Sequence, residues 1–300
     1  WGHIASEYVA AEAEGPEQLR TKVNTLLGET WKPQGDAPDW QVLQLRGESY
    51  AIGSVPDGVA FLTAGVDVGK DRLIYEVVGW DYERRSWSID AGVLMGAPAD
   101  VDTWTQLDDL LERQWPGATS DHLIAVLAID SGYATQEVYR WVRKHRTGRR
   151  VIAVKGSTHA KIPIGLPKKV DLTIRGQLRK RGALYWPIGV DLLKQEFYGW
   201  LHLERGDDGT PPGWCRFPRY GREYWRQITG EHLVTVQKRG GYTEHLWQKI
   251  PGRENHFFDT RIYATAASLF HSRRHKRPAQ SRIEQRDQQR ALDVLKQMSP

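Results

Sequence analysis

The sequence is poor in cysteine and contains no long apolar run. Cys215, the single cysteine among 300 residues, excludes an intrachain disulfide and a cysteine-rich zinc site, and it fits a reducing, cytoplasmic setting. Nowhere do eighteen apolar residues follow one another, so we expect no membrane-spanning segment and no membrane partner. The chain begins Trp1-Gly2-His3, without methionine or a secretory signal, which predicts a fragment or an excised domain.

Motifs of several common chemistries are also missing. The chain has no Gly-x-x-x-x-Gly-Lys-Ser/Thr loop, so we expect no ATP site within it. It has neither the His-Glu-x-x-His of zinc proteases nor the Gly-x-Ser-x-Gly turn of α/β-hydrolases. No Gly-x-Gly-x-x-Gly follows a predicted strand, which argues against dinucleotide binding. Carboxylate chemistry remains the best candidate.

Three aspartates occupy apolar surroundings. Asp67 lies within the run 62–68 and Asp130 ends the run 124–130, and both runs are typical of buried strands. Asp259 shares one face of a predicted helix with Ile262 and Tyr263. A carboxylate in such surroundings costs several kcal/mol unless something compensates for its burial. The sequence therefore predicts that these three side chains share a purpose.

The purpose that fits best is metal binding. Carboxylates together with water are the ligands of Mg²⁺ or Mn²⁺, and two such ions suit phosphodiester hydrolysis. We expect Asp67 to contact both ions, and Asp130 and Asp259 to complete one each. An alternative for Asp259 is a buried ion pair with a basic residue such as Arg261 or Arg253. His256 could orient water or phosphate, or simply cap its helix, and Lys155 could contact the scissile phosphate or be a surface lysine.

The order of predicted elements favours an α/β fold with an RNase H-like mixed sheet flanked by helices. The predicted strands are 62–68, 72–80, 86–93, 123–129 and 151–154, with helices at 103–114, 135–146 and 255–270. Short connections make the first three strands antiparallel, and helices deliver the next two as parallel strands. Strand one then neighbours strand four, which brings Asp67 beside Asp130. A doubly wound nucleotide-binding sheet would need a helix between strands one and two, and none fits there.

Three parts of the chain differ in character. Residues 1–60 are predicted to contain helical segments before about 36 and then a polar, glycine-rich linker. Residues 61–270 form the predicted RNase H-like domain. Residues 271–300 are predicted to be a basic tail. Within the domain, residues 156–182 are predicted to be irregular, and 199–203 to be a short strand.

The positive charge is concentrated in one window. The net charge is +5, but residues 140–181 hold 14 Lys and Arg against one acid. Such a window predicts a surface that binds a polyanion, here the DNA backbone. A solvated loop or a docking loop for a protein partner are the alternatives. The candidate DNA-binding residues are Arg149, Arg150, Lys161, Lys168, Lys169, Arg175, Arg179, Lys180 and Arg181.

An ordered set of short motifs resembles the large terminase subunit of lambda-like tailed phages. The motifs are Val23–Trp31, Ala64–Val68, Asp71–Leu73, Val77–Trp80, Ile129–Gly132, Val154–Gly156, Leu233–Thr235, Gly252–Asn255 and Asp259–Ala264. The first resembles the end of that family's ATPase region, and the others lie in its C-terminal nuclease part. One departure is His256, which stands where the family often has an acid.

The resemblance implies a metal-dependent endonuclease of a DNA-packaging motor, with Asp67, Asp130 and Asp259 as its acidic triad. It also implies cutting of concatemeric double-stranded DNA in the cytoplasm of a bacterial host. The implied partners are DNA, a small terminase subunit, a portal and an empty capsid. Two other classes remain open: another RNase H-like enzyme, such as a transposase, integrase or resolvase, and a non-catalytic DNA-docking module.

Overall fold

The structure is a computed structural model, and it describes most of the chain between residues 37 and 275. The described residues are 7, 37–145, 150–157, 160–174, 176–207, 209–237 and 243–275. The helical segments expected before residue 36, and the tail beyond residue 275, lie outside this part of the chain.

Ten strands and six helices make up the described fold. The strands are β1 (Phe61–Val68), β2 (Arg72–Trp80), β3 (Ser86–Met95), β4 (Ile124–Asp130), β5 (Val151–Gly156), β6 (Lys168–Ile174), β7 (Gln177–Ile188), β8 (Cys215–Arg216), β9 (Glu231–Gln237) and β10 (Thr243–Lys249). The helices are α1 (Trp40–Leu45), α2 (Val101–Glu112), α3 (Thr135–Lys144), α4 (Val190–Leu201), α5 (Arg222–Ile228) and α6 (His256–Arg274).

Eight of these strands form one mixed sheet in the order β6-β7-β5-β4-β1-β2-β3-β8. The first three strands of the chain pair antiparallel, and β1, β4, β5 and β7 run parallel to one another. Strand one therefore neighbours strand four, as predicted. This is the RNase H-like arrangement, and it brings the carboxyl ends of β1 and β4 to the same edge of the sheet. We call this edge the acid edge, because Asp67 and Asp130 lie on it.

The described chain divides into two compact units. The larger unit contains Ala37–Glu231 and resumes at Lys249, so it includes the eight-stranded sheet and α6. The smaller unit contains His232–Gln248, which supplies nearly all of the two-stranded sheet of β9 and β10. No helix in the described residues is both long and apolar enough to cross a membrane.

The two faces of β1 have different partners. Leu62, Ala64 and Val66 belong to the main core cluster, together with apolar side chains of α2 and α3. Thr63 and Gly65 point to the other face, where the Thr63 hydroxyl donates to the carbonyl of Ala264 on α6 at 2.9 Å. Because side chains alternate along a strand, the next residue on this second face is Asp67.

Gly65 allows α6 to lie directly on the sheet. A Cβ atom at this position would collide with the carbonyl oxygen of Thr260 and the amide nitrogen of Ala264. Only glycine permits so close an approach between the strand and the helix backbone. The helix is thereby fixed against β1 two residues before Asp67, and this contact sets where the first turns of α6 lie.

Two segments differ from the sequence-based expectation. Residues 156–182, expected to be irregular, contain β6 and the start of β7, a paired hairpin whose strands carry exposed charges. Its many charged residues concealed it, although Val170 and Leu172 of β6 alternate with them and Leu172 is fully buried. Residues 199–203 were expected to form a strand, but 190–201 form α4, whose buried Leu193, Phe197 and Leu201 follow helical spacing.

Candidate active site

The sheet register places Asp67 and Asp130 side by side. Residues Gly65 and Val66 of β1 pair with Ala128 and Ile129 of β4 in parallel register, so the next positions on the two strands are the two aspartates. Asp130 is the last residue of β4, and its Oδ2 accepts a hydrogen bond from the Gly132 amide at 3.0 Å. Both carboxylates point to the face of the sheet that α6 covers.

Asp259 reaches the same region from the first turn of α6. Its Oδ2 accepts a hydrogen bond from Asn255 Nδ2 at 2.9 Å, and its Oδ1 lies 3.5 Å from Lys194 Nζ. The charge of Asp67 raises the pKa of Asp259 and also that of Asp130. The three aspartates therefore lie within electrostatic range of one another, although they come from three separate elements.

Burial leaves two of these carboxylates short of stabilising partners. Burial raises the pKa of Asp130 to about 6, against the hydrogen bond from Gly132, and repulsion from Asp67 adds to the shift. Burial likewise raises the pKa of Asp259 to about 7, and the Lys194 charge offsets this only in part. The fold thus holds concentrated negative charge that it does not neutralise, which is typical of functional sites.

His256 is a direct neighbour of Asp67. Its Nδ1 lies 2.7 Å from Asp67 Oδ2, and its Nε2 lies 3.5 Å from Glu254 Oε2. The hydrogen bond to Asp67 raises the pKa of the imidazole. His256 is the first residue of α6, so its ring lies one turn before Asp259. The structure therefore places this predicted residue in the site, where it orients the Asp67 carboxylate.

Lys155 lies at the same edge of the sheet. Asp130 pairs with Val154 of β5, and Lys155 is the next residue, exposed to solvent. Its charge lowers the pKa of Asp130, against the larger effect of burial. An exposed cation beside a buried carboxylate is suitably placed to meet a phosphate at the rim of the site.

Two residues of the site, Lys194 and Glu231, had no clear signal in the sequence, whereas Asn255 and Tyr263 belong to its motifs although their contacts were not predicted. Lys194, Glu231 and Asn255 form a hydrogen-bonded set next to Asp259, and buried Tyr263 lies close enough for the charges of all three aspartates to raise its pKa after burial itself. A lysine on a helix, or a glutamate that begins a strand, is usually solvated. Only the packing of α4 against α6 shows that these two are enclosed.

The basic residue within ion-pair distance of Asp259 is neither of the two arginines but Lys194, whose Nζ lies 3.5 Å from Asp259 Oδ1. Arg261 Nη2 lies 2.6 Å from Glu76 Oε1, in the interior on another side of the helix. Arg253 Nη1 donates to the carbonyl of Thr229 at 3.4 Å. The cation nearest to Asp259 is Lys194, and its two short contacts, at 2.7 and 2.8 Å, are with Glu231.

The residues present suit a divalent cation in donor chemistry and charge. Asp67, Asp130 and Asp259 offer hard carboxylate oxygens, and the raised pKa of two of them reflects charge that a cation would neutralise. Within the described part of the chain, no three Asp, Glu, His or Cys side chains stand close enough to hold an ion as they are placed. The fit therefore rests on the chemistry of the donors and on their electrostatic coupling.

The predicted DNA-binding residues that the structure describes lie in three places: beside α2, in the loop before β6, and on the β6–β7 hairpin. Arg150 serves the fold: its guanidinium donates to the carbonyls of Leu111 and Ile124 and contacts Glu112. Lys161 is exposed in the loop before β6. This loop returns to the acid edge, since Ile164 bridges Ile188 at the end of β7. Arg149 and Arg175 lie outside the described residues.

The remaining cations lie on the β6–β7 hairpin, and all of them are exposed. They are Lys168, Lys169, Arg179, Lys180 and Arg181. Trp186 of β7 is level with Asp130, through Val154 of β5. Lys180 is six residues further from the acid edge, or about 20 Å at the rise of a strand. The hairpin tip therefore points away from the aspartates, and Lys168, opposite Tyr185, is the hairpin lysine closest to their level.

Comparison with known proteins identifies the family. The family described as "Terminase large subunit gpA, endonuclease domain" matches residues 1–279. The chain is 31% identical over 275 residues to the large terminase subunit of Escherichia phage lambda, and 30% identical over 277 residues to that of Enterobacteria phage P21. Each match covers 89% of this chain but 41% of the relative, so the chain spans less than half of their length.

Solved structures with a similar arrangement include two nucleases. The large terminase nuclease from thermophilic phage G20c with bound magnesium is 11% identical, with a TM-score of 0.41, and the match covers 73% of this chain and 88% of that one. A mutant nuclease domain of the large terminase subunit gp2 of bacterial virus Sf6 with manganese is 12% identical, with a TM-score of 0.38 and coverage of 69% and 88%. The family match over residues 1–279 confirms the sequence-based resemblance: the chain belongs to the endonuclease-domain family of phage large terminase subunits.

Proposed function

We propose that this chain is a metal-dependent endonuclease that cuts double-stranded DNA by two-metal-ion phosphodiester hydrolysis. The observation that carries the proposal is the convergence of Asp67, Asp130 and Asp259 at one edge of the sheet, with two of their pKa values raised by burial and mutual repulsion. Family membership supports a nuclease. Magnesium and manganese in two nuclease structures of similar arrangement accord with the choice of ion but do not carry it.

Each residue of the site has a distinct task in this proposal. Asp67, central among the acids, would contact both ions, and Asp130 and Asp259 would each contact one. Bound divalent ions supply an activated water and stabilise the leaving oxygen. His256 holds the Asp67 carboxylate through the 2.7 Å contact at Nδ1. Lys155, exposed beside Asp130, contacts the scissile phosphate.

DNA would approach from the acid edge and continue onto the hairpin. Lys161 and Lys168 lie nearest to the level of the aspartates, and the hairpin carries further exposed cations along its length. A duplex is about 20 Å wide and carries regularly spaced phosphates, so cations at such a distance can contact the same molecule. Contacts of this kind position the DNA without reading its bases.

The biological setting follows from the relatives. Large terminase subunits act in DNA packaging, so we infer that the DNA is concatemeric phage DNA in the host cytoplasm. A small terminase subunit, a portal and an empty capsid are the corresponding partners.

The test is a plasmid-nicking assay on single Asp→Asn variants. Asp67→Asn, Asp130→Asn and Asp259→Asn should each lower the Mn²⁺-dependent cutting rate by about 10³-fold or more, because each removes a ligand the reaction requires. Circular dichroism should show an intact fold for all three. EDTA should stop cutting by the wild type, and Ca²⁺ should bind but support little turnover.

Asp90→Asn is the matched control. Asp90 is a half-buried aspartate on β3 whose pKa is also raised by burial, and it contacts Tyr75 and Arg113 away from the acid edge. This variant should cut like the wild type. Retained cutting by two of the three site variants, or cutting that resists EDTA, would refute the proposal.

A further inference from the structure

Lys194 is an enclosed lysine in the middle of an acidic site. It lies on α4 with 9% of its surface exposed, and its ammonium lies 5.1 Å from the ring centre of Phe258. Its Nζ donates to both carboxylate oxygens of Glu231, at 2.7 and 2.8 Å. Enclosing an ammonium group is costly unless it is well paired, so this position is defined by its partners.

Glu231 also holds a second partner of Asp259. Asn255 Nδ2 donates to Glu231 Oε1 at 2.7 Å and to Asp259 Oδ2 at 2.9 Å. Lys194 Nζ lies 3.5 Å from the other oxygen, Asp259 Oδ1. Both oxygens of Asp259 are therefore approached by groups that are themselves anchored on Glu231.

The distances show how Lys194 divides its charge. Its contacts with Glu231, at 2.7 and 2.8 Å, are shorter than its 3.5 Å contact with Asp259, so its main partner is Glu231 and its interaction with Asp259 is weaker. If Glu231 were neutral, the ammonium would have one carboxylate left within reach, which is Asp259. A lysine paired with Asp259 would compete with any cation that this carboxylate is to bind.

We propose that Lys194, Glu231 and Asn255 form a positioning set, in which Asn255 orients Asp259 for a divalent cation and Glu231 keeps the Lys194 ammonium from neutralising it. The inference rests on the proposed function, since it assigns Asp259 as a ligand. None of the three residues contacts the reacting atoms. Their effect is on how readily the site accepts the ion.

The set predicts opposite effects from its two charged members. Glu231→Gln keeps the shape of the side chain but releases Lys194 towards Asp259, so Mn²⁺ should bind about tenfold more weakly, in the range known for residues that support metal ligands. Lys194→Met removes the competing cation and leaves Glu231 negative, so Mn²⁺ should bind several-fold more tightly. The double variant should return towards the wild-type affinity.

The measurement is isothermal titration of Mn²⁺, and of Ca²⁺ as an ion that does not support turnover, into the full chain without DNA. Thermal unfolding in EDTA and in Mn²⁺ gives a second readout, in which Lys194→Met should gain more from Mn²⁺ than the wild type does. Lys144→Met is the matched control, since it breaks an exposed pair of similar length, 2.8 Å from Asp108, and should leave Mn²⁺ affinity unchanged.

If Glu231→Gln and Lys194→Met shift the Mn²⁺ affinity in the same direction, the inference is overturned. A pair with a purely structural role would lower the affinity when either partner is changed. Unchanged affinity in Glu231→Gln would overturn it as well. If Lys194→Met does not fold, Glu231→Gln alone decides, since it is isosteric. A wild type that binds no Mn²⁺ would instead refute the proposed function itself, so the two failures are distinguishable.

Discussion

Asp259 and Arg261 lie two residues apart on α6, yet their surroundings balance charge in opposite ways. Arg261 and Glu76 are both fully buried and paired at 2.6 Å, and Glu76 Oε1 also accepts hydrogen bonds from Ser88 and Tyr224. Asp259 faces Asp67 and Glu231, whose charges raise its pKa after burial itself. The fold neutralises the charges on one side of the helix and leaves an excess of like charge on the other.

This comparison distinguishes the contacts that hold α6 in place from the side chain that α6 contributes to the acid edge. A compensated buried pair fixes where α6 lies and how it is rotated, which is a contribution to structure. An uncompensated acid costs stability and is retained where a ligand completes the charge balance. The Arg261–Glu76 pair therefore fixes the helix that carries Asp259, while the acid edge is where we propose that a cation binds.

Breaking the buried pair of Arg261 and Glu76 should have the largest effect on stability. Arg261→Met leaves Glu76 buried without its countercharge, so the free energy of unfolding should fall by about 3–5 kcal/mol. Urea denaturation measures the change. Adding Glu76→Gln to this variant should recover part of the loss, because no unpaired charge then remains. A loss below about 1 kcal/mol in Arg261→Met would contradict the view that this pair fixes the helix.

Ionising the aspartates of the acid edge, by contrast, should lower the stability of the protein. Folding raises the pKa of Asp130 to about 6 and that of Asp259 to about 7. Ionising these two carboxylates therefore costs no folding stability below about pH 4, and the full cost is present above pH 7. The raised pKa of His256 acts in the same direction, since stability from its contact with Asp67 is lost as pH rises. In EDTA, stability should therefore increase by about 1–3 kcal/mol between pH 8 and pH 5.

Asp259→Asn tests the origin of that pH dependence. The variant removes the more strongly shifted carboxylate, so its stability should change less over the same pH range, and it should be at least as stable as the wild type at pH 8. Mn²⁺ should reverse the trend in the wild type, because protons and metal compete for the same oxygens. Stability that rises with pH in EDTA would argue against repulsion at the acid edge.

The exposed cations of the β6–β7 hairpin should affect DNA binding alone. The combined change of Lys168, Lys169, Lys180 and Arg181 to Ala should weaken DNA binding on all sequences and leave Mn²⁺ affinity unchanged. Each lost phosphate contact should make the log–log salt dependence shallower by about 0.9, so four lost contacts should change the slope by up to about 3.6. Fluorescence anisotropy at several salt concentrations measures this slope. Wild-type DNA binding and cutting at every salt concentration would favour a protein-docking role for the hairpin.

The sequence was most informative where one face of an element is uniformly apolar. The strands that carry Asp67 and Asp130 could be located to within a residue or two, because alternating or continuous apolar runs report burial directly. It was least informative at the β6–β7 hairpin and at α4. The hairpin buries few side chains, among them Leu172 and Ala183, and its many exposed charges hide their spacing. The aromatic residues of α4 resemble those of a strand over a short window.

The sequence by itself identified Asp67, Asp130 and Asp259 as the candidate site residues, since a carboxylate within an apolar run is rare and costly enough to be recognised without coordinates. It also predicted that strand one lies beside strand four, because connection lengths restrict which strands can pair. The tertiary structure alone decided the partners of those residues: the position of His256 against Asp67, the enclosure of Lys194 by Glu231 and Asp259, and the pairing of Arg261 with Glu76. These contacts join residues far apart along the chain, and their geometry depends on how α4 and α6 pack on the sheet, which local patterns do not encode.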